Sequence, residues 1–158
     1  MDVDTGKNIG GLRGGEETRD LLTILIAGQR FGIPILQVQD VLGESRVTKI
    51  PLARPEIAGV LNLRGRIITA INVRKGLGLG EADHERTRMS VVVEHENELY
   101  SLIIDEIGDV MSLKNKDLKP VPGTLDPVWR DVSCGIYRLD KELLVLLDVP
   151  KFLSTVHT

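Results

Sequence analysis

The chain has 158 residues, with 20 Lys and Arg against 23 Asp and Glu, which gives a formal net charge of -3. This lack of a basic excess argues against a nucleic-acid partner, because binding to phosphates requires clustered Lys and Arg. No apolar run approaches the roughly 20 residues of a membrane span, and no signal peptide is evident, so we expect a cytoplasmic protein without direct membrane insertion.

Residues 1–20 contain five glycines and eight charged side chains and predict a flexible N-terminal tail. Over the whole chain, 30 Val and Ile residues against 5 Ala favour strands over helices. Short apolar runs separated by turn signals predict an all-β barrel or sandwich. The first five predicted strands are Leu22–Ile26, Phe31–Leu36, Val47–Ile50, Ile57–Leu63 and Ile67–Val73, and the second five are Met89–Val93, Leu99–Ile104, Leu118–Val121, Cys134–Leu139 and Leu143–Val149.

The two sets of predicted strands can be superimposed on each other. A shift of 76 places Gly59–Val73 on Gly135–Val149, and a shift of 69 places Gln29–Ile33 on Glu98–Leu102. This self-similarity predicts two copies of one five-stranded unit that share a core. Short helical segments are predicted at matching places, over Arg74–Leu79 and Lys151–Val156, and Glu81–Arg88 reads as a charged linker.

No combination of residues suggests catalysis. The three histidines lack the spacing of a zinc site, so we expect no metal and no other cofactor. Cys134 is the single cysteine, and its place at the start of a predicted strand favours a small buried residue over a nucleophile. An enzyme is therefore disfavoured.

One predicted hairpin has an unusual tip. In the run Asn62-Leu63-Arg64-Gly65-Arg66, Gly65 suits a positive φ and places Arg64 at the tip of the turn. The matching tip of the second repeat reads Asp140-Lys141, so the repeat itself does not demand Arg-Gly there. Asp40 is a plausible carboxylate partner for Arg64. The sequence does not decide whether Arg64 only decorates the turn or has a function, nor whether Arg64 contacts Asp40.

These residues carry a resemblance to a known family. The run Gly59–Ile68 with its Asn-Leu-Arg-Gly signature, preceded by Gly32–Val41 and followed by Leu102–Val110, resembles the CheW family of bacterial chemotaxis adaptors. The resemblance covers about Leu21 to Leu153. It implies two five-stranded, SH3-like β-barrels, roughly residues 21–75 and 88–150 of a domain spanning 21–158, which share a hydrophobic core, with short helices between the barrels and at the C-terminus.

The resemblance also implies a function. CheW-like proteins are non-catalytic, use no cofactor and couple the cytoplasmic tips of methyl-accepting chemoreceptors to the regulatory domain of the histidine kinase CheA, in arrays at the inner face of the membrane. The positions that match the family's partner-binding residues are Val38, Asp40, Gly59, Asn62, Arg64 and Gly65. We expect a monomer in isolation.

Two features depart from the family pattern. Many relatives have a proline and an acidic residue after the signature, whereas this chain reads Thr69-Ala70-Ile71-Asn72, so Asn72 can accept a hydrogen bond but cannot form an ion pair. The second half has no copy of Asn-Leu-Arg-Gly, so the two barrels should have different partners. The alternatives are an adaptor of a chemosensory pathway other than motility and a small-barrel binder of oligonucleotides or oligosaccharides; the few aromatics and the acidic charge disfavour the latter.

Overall fold

The computed structural model describes residues 17–79 and 89–157, without the side chain of His157. Most of the predicted tail and the predicted linker Glu81–Arg88 therefore lie outside the described residues. The described chain is mostly β-structure. Its ten strands are β1 (Thr18–Ile26), β2 (Gln29–Pro34), β3 (Val38–Leu42), β4 (Ile57–Leu63), β5 (Arg66–Asn72), β6 (Met89–His95), β7 (Glu98–Ile104), β8 (Glu106–Lys114), β9 (Ser133–Arg138) and β10 (Leu143–Leu147).

Three short α-helices accompany the strands. They are α1 (Val73–Gly76), α2 (Pro127–Asp131) and α3 (Val149–His157). Helices α1 and α3 occupy the two places predicted from the sequence. The side chain of Asn72 caps α1 by accepting a hydrogen bond from the Lys75 amide at 3.3 Å, so this asparagine has a local structural role.

The strands form two five-stranded sheets that share one pattern. The first sheet has the order β8-β1-β2-β10-β9 and the second has the order β3-β6-β7-β5-β4. This arrangement differs from the expected barrels at 21–75 and 88–150, because the repeats exchange their first hairpins. Each sheet combines the first two strands of one repeat with the last three strands of the other.

The register of the strands confirms the internal repeat. Leu22 pairs with Ile33 in β1–β2, and Val91 pairs with Leu102 in β6–β7, each partner displaced by 69 residues. Leu61 pairs with Ile68 in β4–β5, and its counterpart at a displacement of 76 is the pair Tyr137 and Leu144 in β9–β10. The residue pairs of the parallel strands β2–β10 and β5–β7 are related by the same two displacements, 69 and 76. The repeat is therefore a property of the three-dimensional fold as well as of the sequence.

Two of the ten predicted strands are misplaced. Val47–Ile50 contributes only the isolated bridge between Thr48 and Val60, and Leu118–Val121 contributes only the bridge between Lys119 and Ile136. The third strand of the first repeat is instead β3, and that of the second repeat is β8. Each lies earlier in the chain than the segment predicted for it. Strand β1 also begins at Thr18, within the predicted tail.

The two sheets share a hydrophobic core. This shared core includes Ile24 and Phe31 of the first sheet, Ile71 and Leu102 of the second sheet, and Phe152 of α3, all fully buried. A smaller cluster formed by Leu21, Tyr137, Leu144 and Leu146 belongs to the first sheet, and another formed by Leu61, Ile68, Ala70 and Val92 belongs to the second. The all-β class and the pair of five-stranded units around a common core are confirmed.

A half-buried ion pair also connects the two sheets. The guanidinium of Arg74 in α1 donates to both oxygens of the Asp105 carboxylate, at 2.7 Å from Nη2 to Oδ2, 2.9 Å from Nε to Oδ1 and 3.2 Å from Nε to Oδ2. The same carboxylate accepts a hydrogen bond of 2.8 Å from the Ala27 amide in the β1–β2 turn. The Asp105 carboxylate raises the pKa of Arg74, which keeps the guanidinium charged.

Candidate functional site

The β4–β5 hairpin presents Arg64 at its tip. Leu63 and Arg66 form the last strand pair, so Arg64 and Gly65 are a two-residue loop. Both loop residues have positive φ, 51° for Arg64 and 86° for Gly65, which is the type I′ geometry that fits the twist of a hairpin. The side-chain oxygen of Asn62 accepts a hydrogen bond from the Gly65 amide at 3.0 Å and so supports the turn.

The positive φ of Arg64 is a requirement of the turn. Ala27 and Glu96 occupy the same first position in the β1–β2 and β6–β7 turns and also have positive φ, 53° and 52°. The conformation alone is therefore no sign of function. What distinguishes the Arg64 turn is that its exposed side chain is a cation, whereas the matching positions hold an alanine and a carboxylate.

Arg64 forms an ion pair with Asp40. Nη2 of Arg64 lies 2.9 Å from Oδ2 of Asp40, and the Arg64 side chain is 76% exposed against 26% for Asp40. The other carboxylate oxygen of Asp40 accepts a hydrogen bond from the Val41 amide at 2.8 Å. Oδ2 has no hydrogen-bond partner in the part of the chain that the structure describes, so its contact with Arg64 is chiefly electrostatic. The sequence left this contact open, and the structure provides it.

This ion pair connects opposite edges of the second sheet. Asp40 belongs to edge strand β3, whereas Arg64 follows β4, the strand at the other edge. The segment after β3 also reaches β4, since Thr48 and Val60 exchange two backbone hydrogen bonds of 2.8 and 2.9 Å. The sheet must therefore curl until its edges meet, and the ion pair lies where they meet.

Gly59 lies inside this closure. It is buried, and its φ of 146° lies in a region that side-chain-bearing residues rarely adopt. A Cβ atom at this position would collide with the carbonyl oxygen of Thr48. Gly135, its counterpart in the second repeat, has a φ of 158° and approaches the Lys119 carbonyl oxygen in the same way. The two glycines thus permit the closure of the two sheets.

The six residues selected from the sequence divide into two groups. Asp40, Asn62, Arg64 and Gly65 come together at the exposed turn and its ion pair. Val38 is half-buried and packs against the shared core, and Gly59 is buried.

Exposed apolar side chains near the ion pair were missed in the sequence. Val41 follows Asp40 and is exposed at the sheet edge. Ile67 is 66% exposed and pairs across the hairpin with Asn62. The signal was available in β5, where strand alternation directs Ile67 away from the side that buries Ile68.

Cys134 is exposed, so the expectation of a buried residue is wrong. In β9 the side chain of Cys134 is exposed, whereas its neighbours Ser133 and Gly135 are buried. Partial burial of the sulfur and the neighbouring carboxylate of Asp148 raise the pKa of the Cys134 thiol. Fewer thiolates form at neutral pH, which is the opposite of what a catalytic nucleophile requires.

Within residues 17–79 and 89–157, no group of three His, Cys, Asp or Glu side chains is arranged to hold a metal ion. No helix in these same ranges has the length and apolar character needed to cross a membrane.

Residues 20–157 match the family model of the CheW-like domain. The chain belongs to this family. The match extends over both sheets and α3, and it confirms the resemblance seen in the signature around Arg64.

Curated members of the CheW-like family resemble the chain over most of its length. A probable chemotaxis protein CheW from Rhizobium etli is 25% identical over 140 residues, covering 89% of this chain and 90% of the relative. The chemotaxis protein CheW from Klebsiella aerogenes is 27% identical over 137 residues, covering 87% of this chain and 82% of the relative.

A solved CheW-like structure has the same fold. The scaffolding protein TtCheW from Thermoanaerobacter tengcongensis superposes with a TM-score of 0.74 at 26% identity, covering 83% of this chain and 89% of the other. The Klebsiella relative is named as a chemotaxis protein and the solved structure as a scaffolding protein, and the assignment of this chain to a non-enzyme class rests on its membership in the CheW-like family.

Proposed function

We propose that this protein links the cytoplasmic tips of chemoreceptors to the regulatory domain of a CheA-type histidine kinase. The observation that carries the proposal is the ion pair between Asp40 and Arg64 on an exposed turn of the second sheet. Membership in the CheW-like family supports a chemotaxis scaffold as the class of function. The exposed ion pair supports this surface as the place where we expect a partner to bind.

The surroundings of the ion pair suit a protein partner. An apolar contact area with a charged pair at its rim is the common composition of a protein interface, in which the charges fix orientation more than affinity. Exposed Val41 and Ile67 provide apolar surface next to Asp40 and across from Asn62. Because Arg64 is mostly exposed, its guanidinium can donate hydrogen bonds to a second carboxylate from a partner while it stays near Asp40.

We assign different roles to the six site residues. Asp40 and Arg64 contact the partner, and Asn62 and Gly65 fix the conformation of the turn that presents Arg64. Gly59 permits the close approach of Thr48 and thereby holds the two edges together. Val38 anchors β3 to the shared core.

Individual contacts of this kind can be weak. A monomeric adaptor that is recruited to receptor arrays at the inner face of the membrane meets many receptor and kinase sites at once, and the resulting effective concentration raises the overall affinity. A modest loss of binding energy at one ion pair is therefore multiplied over the many sites of the array.

The test measures kinase activation and binding separately. The purified protein is mixed with receptor-containing membranes and a CheA-type kinase from the same cell, and kinase autophosphorylation is followed over time. A pull-down with the isolated regulatory domain of the kinase measures the direct contact. We expect activation by the unmodified protein and at least a several-fold loss with Arg64→Ala.

The second repeat offers a matched control. Lys141→Ala removes an exposed cation from the corresponding hairpin tip without touching the Asp40–Arg64 pair. We expect this variant to activate the kinase normally. No activation by the unmodified protein with its cognate receptor and kinase, or equal losses in the two variants, would contradict the proposal.

A further inference from the structure

A cationic groove of about 570 Å³ lies beside the start of β4 in the second sheet. The described residues that line it include no carboxylate and three cations, Lys49, Arg54 and Lys75. Its larger apolar lining residues are Val47, Ile50 and Ile57. Because the chain as a whole has a formal net charge of -3, this groove is a local concentration of positive charge.

Glu56 pairs with one of these cations without using all of its donors. Nη2 of Arg54 lies 3.3 Å from Oε2 of Glu56, and the Arg54 side chain is 46% exposed against 20% for Glu56. A guanidinium has five N–H donors, so Arg54 can hydrogen-bond to a second carboxylate while it stays near Glu56. Lys49 is exposed as well. The groove therefore presents both positive charge and hydrogen-bond donors to solvent.

An exposed leucine protrudes at the rim of the groove. Leu52 stands in the chain between the lining residues Ile50 and Ala53, and its side chain is fully exposed. The Ala53 amide donates a hydrogen bond of 3.3 Å to the Ile50 carbonyl oxygen, which closes a turn with Pro51 second and Leu52 third. Leu52 has a φ of 64°, and the third position of such a type II turn favours glycine. Leucine is thus unfavourable here both in its backbone conformation and in its exposure to water.

The matching connection of the second repeat buries its large apolar residue. The two connections run from Thr48 to β4 and from Lys119 to β9. In the second connection Trp129 of α2 packs against the shared core and donates a hydrogen bond of 3.1 Å to the Leu77 carbonyl oxygen. In the first connection Leu52 stays in solvent. The fold itself therefore does not require an exposed apolar residue here, and a contact outside the chain accounts for Leu52.

The cations and the leucine favour the same kind of partner. Lys and Arg side chains pair with carboxylates, and an exposed leucine is suited to pack against apolar side chains of a partner. A free phosphate or a nucleic acid would use the cations but not Leu52. An uncharged apolar partner would use Leu52 but not the cations. An acidic protein segment with apolar side chains uses both.

We propose that the groove and Leu52 form a docking surface for a segment of a partner protein that carries carboxylates beside apolar side chains. The carboxylates pair with Lys49 and Arg54, and Leu52 packs against the apolar side chains. The groove lies at the start of β4 whereas Arg64 follows its end, so the docking surface is separate from the proposed contact with receptor and kinase.

The test is a fluorescence-anisotropy titration of a short, labelled peptide of glutamate and leucine with the full chain. We expect saturable binding that weakens as NaCl is added, because salt screens exposed charges. The same peptide with glutamine in place of glutamate, or with serine in place of leucine, should bind at least tenfold more weakly. A labelled poly(dT) oligonucleotide of equal length should also bind more weakly than the peptide.

Two variants locate the peptide and separate binding from folding. Leu52→Gly should weaken peptide binding several-fold and leave the melting temperature close to that of the unmodified protein, because relief of the unfavourable φ offsets the greater freedom of glycine in the unfolded chain. Lys49→Glu should weaken binding at least tenfold. Lys141→Glu makes the same change of charge at an exposed site on the first sheet and should leave binding unchanged.

An absence of saturable peptide binding to the unmodified protein would overturn the proposal. Equal losses in Lys49→Glu and Lys141→Glu, or tighter binding of the oligonucleotide, would overturn it as well, because either result would mean a general attraction of anions. A lower melting temperature of Leu52→Gly with unchanged peptide binding would assign Leu52 to the fold and would also contradict the docking surface.

Discussion

Arg64 Nη2 lies 2.9 Å from Asp40 Oδ2 although the two residues belong to opposite edges of one five-stranded sheet. The pair therefore reports on the curvature of the whole sheet, and its exposure leaves it accessible to a partner. The contact across the sheet bears on the stability of the fold. The exposure bears on the proposed coupling of receptor to kinase.

Arg64→Ala should reduce kinase coupling while leaving the fold intact. The side chain is 76% exposed, so its ion pair should contribute only about 0.2–1 kcal/mol to the free energy of unfolding. Urea unfolding of Arg64→Ala, Asp40→Ala and the double variant measures the coupling energy between them. A large loss of stability in Arg64→Ala would instead assign the residue a structural role.

Gly59→Ala should be strongly destabilising. The added methyl group meets the Thr48 carbonyl oxygen, and the φ of 146° is unfavourable for alanine, so we expect a loss of about 3 kcal/mol. Gly135→Ala should behave similarly because its Cβ would approach the Lys119 carbonyl oxygen. Gly43→Ala is the control, since nothing lies within 4 Å of its added methyl group. Equal melting temperatures for Gly59→Ala and Gly43→Ala would contradict the assigned role of Gly59.

Asp105→Asn should weaken the connection between the two sheets. Both oxygens of the carboxylate accept hydrogen bonds from Arg74, and the carboxylate also accepts one from the Ala27 amide, with both ion-pair side chains 20% exposed. We expect a loss of about 2 kcal/mol in chemical unfolding, because Arg74 is left with a neutral partner. Glu142→Gln, which removes the more exposed partner of Arg30, should cost less than about 1 kcal/mol. A larger loss of stability in Glu142→Gln than in Asp105→Asn would be inconsistent with this role for Asp105.

Cys134 should react slowly with iodoacetamide despite its exposure. Because its pKa is raised, the thiolate fraction at pH 8 lies below that of a free cysteine, and the rate should keep rising as the pH increases further. Asp148→Asn removes a nearby negative charge and should accelerate alkylation at pH 8. The amide oxygen of the new side chain can still accept the Lys151 amide hydrogen bond at the start of α3. Alkylation of Cys134 as fast as that of free cysteine would contradict the raised pKa.

Local features of the fold were predictable because they depend on neighbouring residues. The Arg64-Gly65 turn, the strands on either side of it and the helix after Val149 all follow from hydrophobic alternation and turn chemistry. The repeat was also visible, since matching strands keep matching apolar positions. Edge strand β3 was missed because its residues alternate only between half-buried and exposed. The β-branched residues of Val47–Ile50 gave a stronger local signal, but they provide a single bridge at Thr48.

The sequence by itself determined the composition of the repeats, the Arg-Gly turn and the resemblance to the CheW family. Only the tertiary structure decided that β1 and β2 pair with β8 and β10, because two similar repeats present similar strand edges and local pattern cannot distinguish them. It also decided the contact between Arg64 and Asp40, which depends on the curvature of a complete sheet.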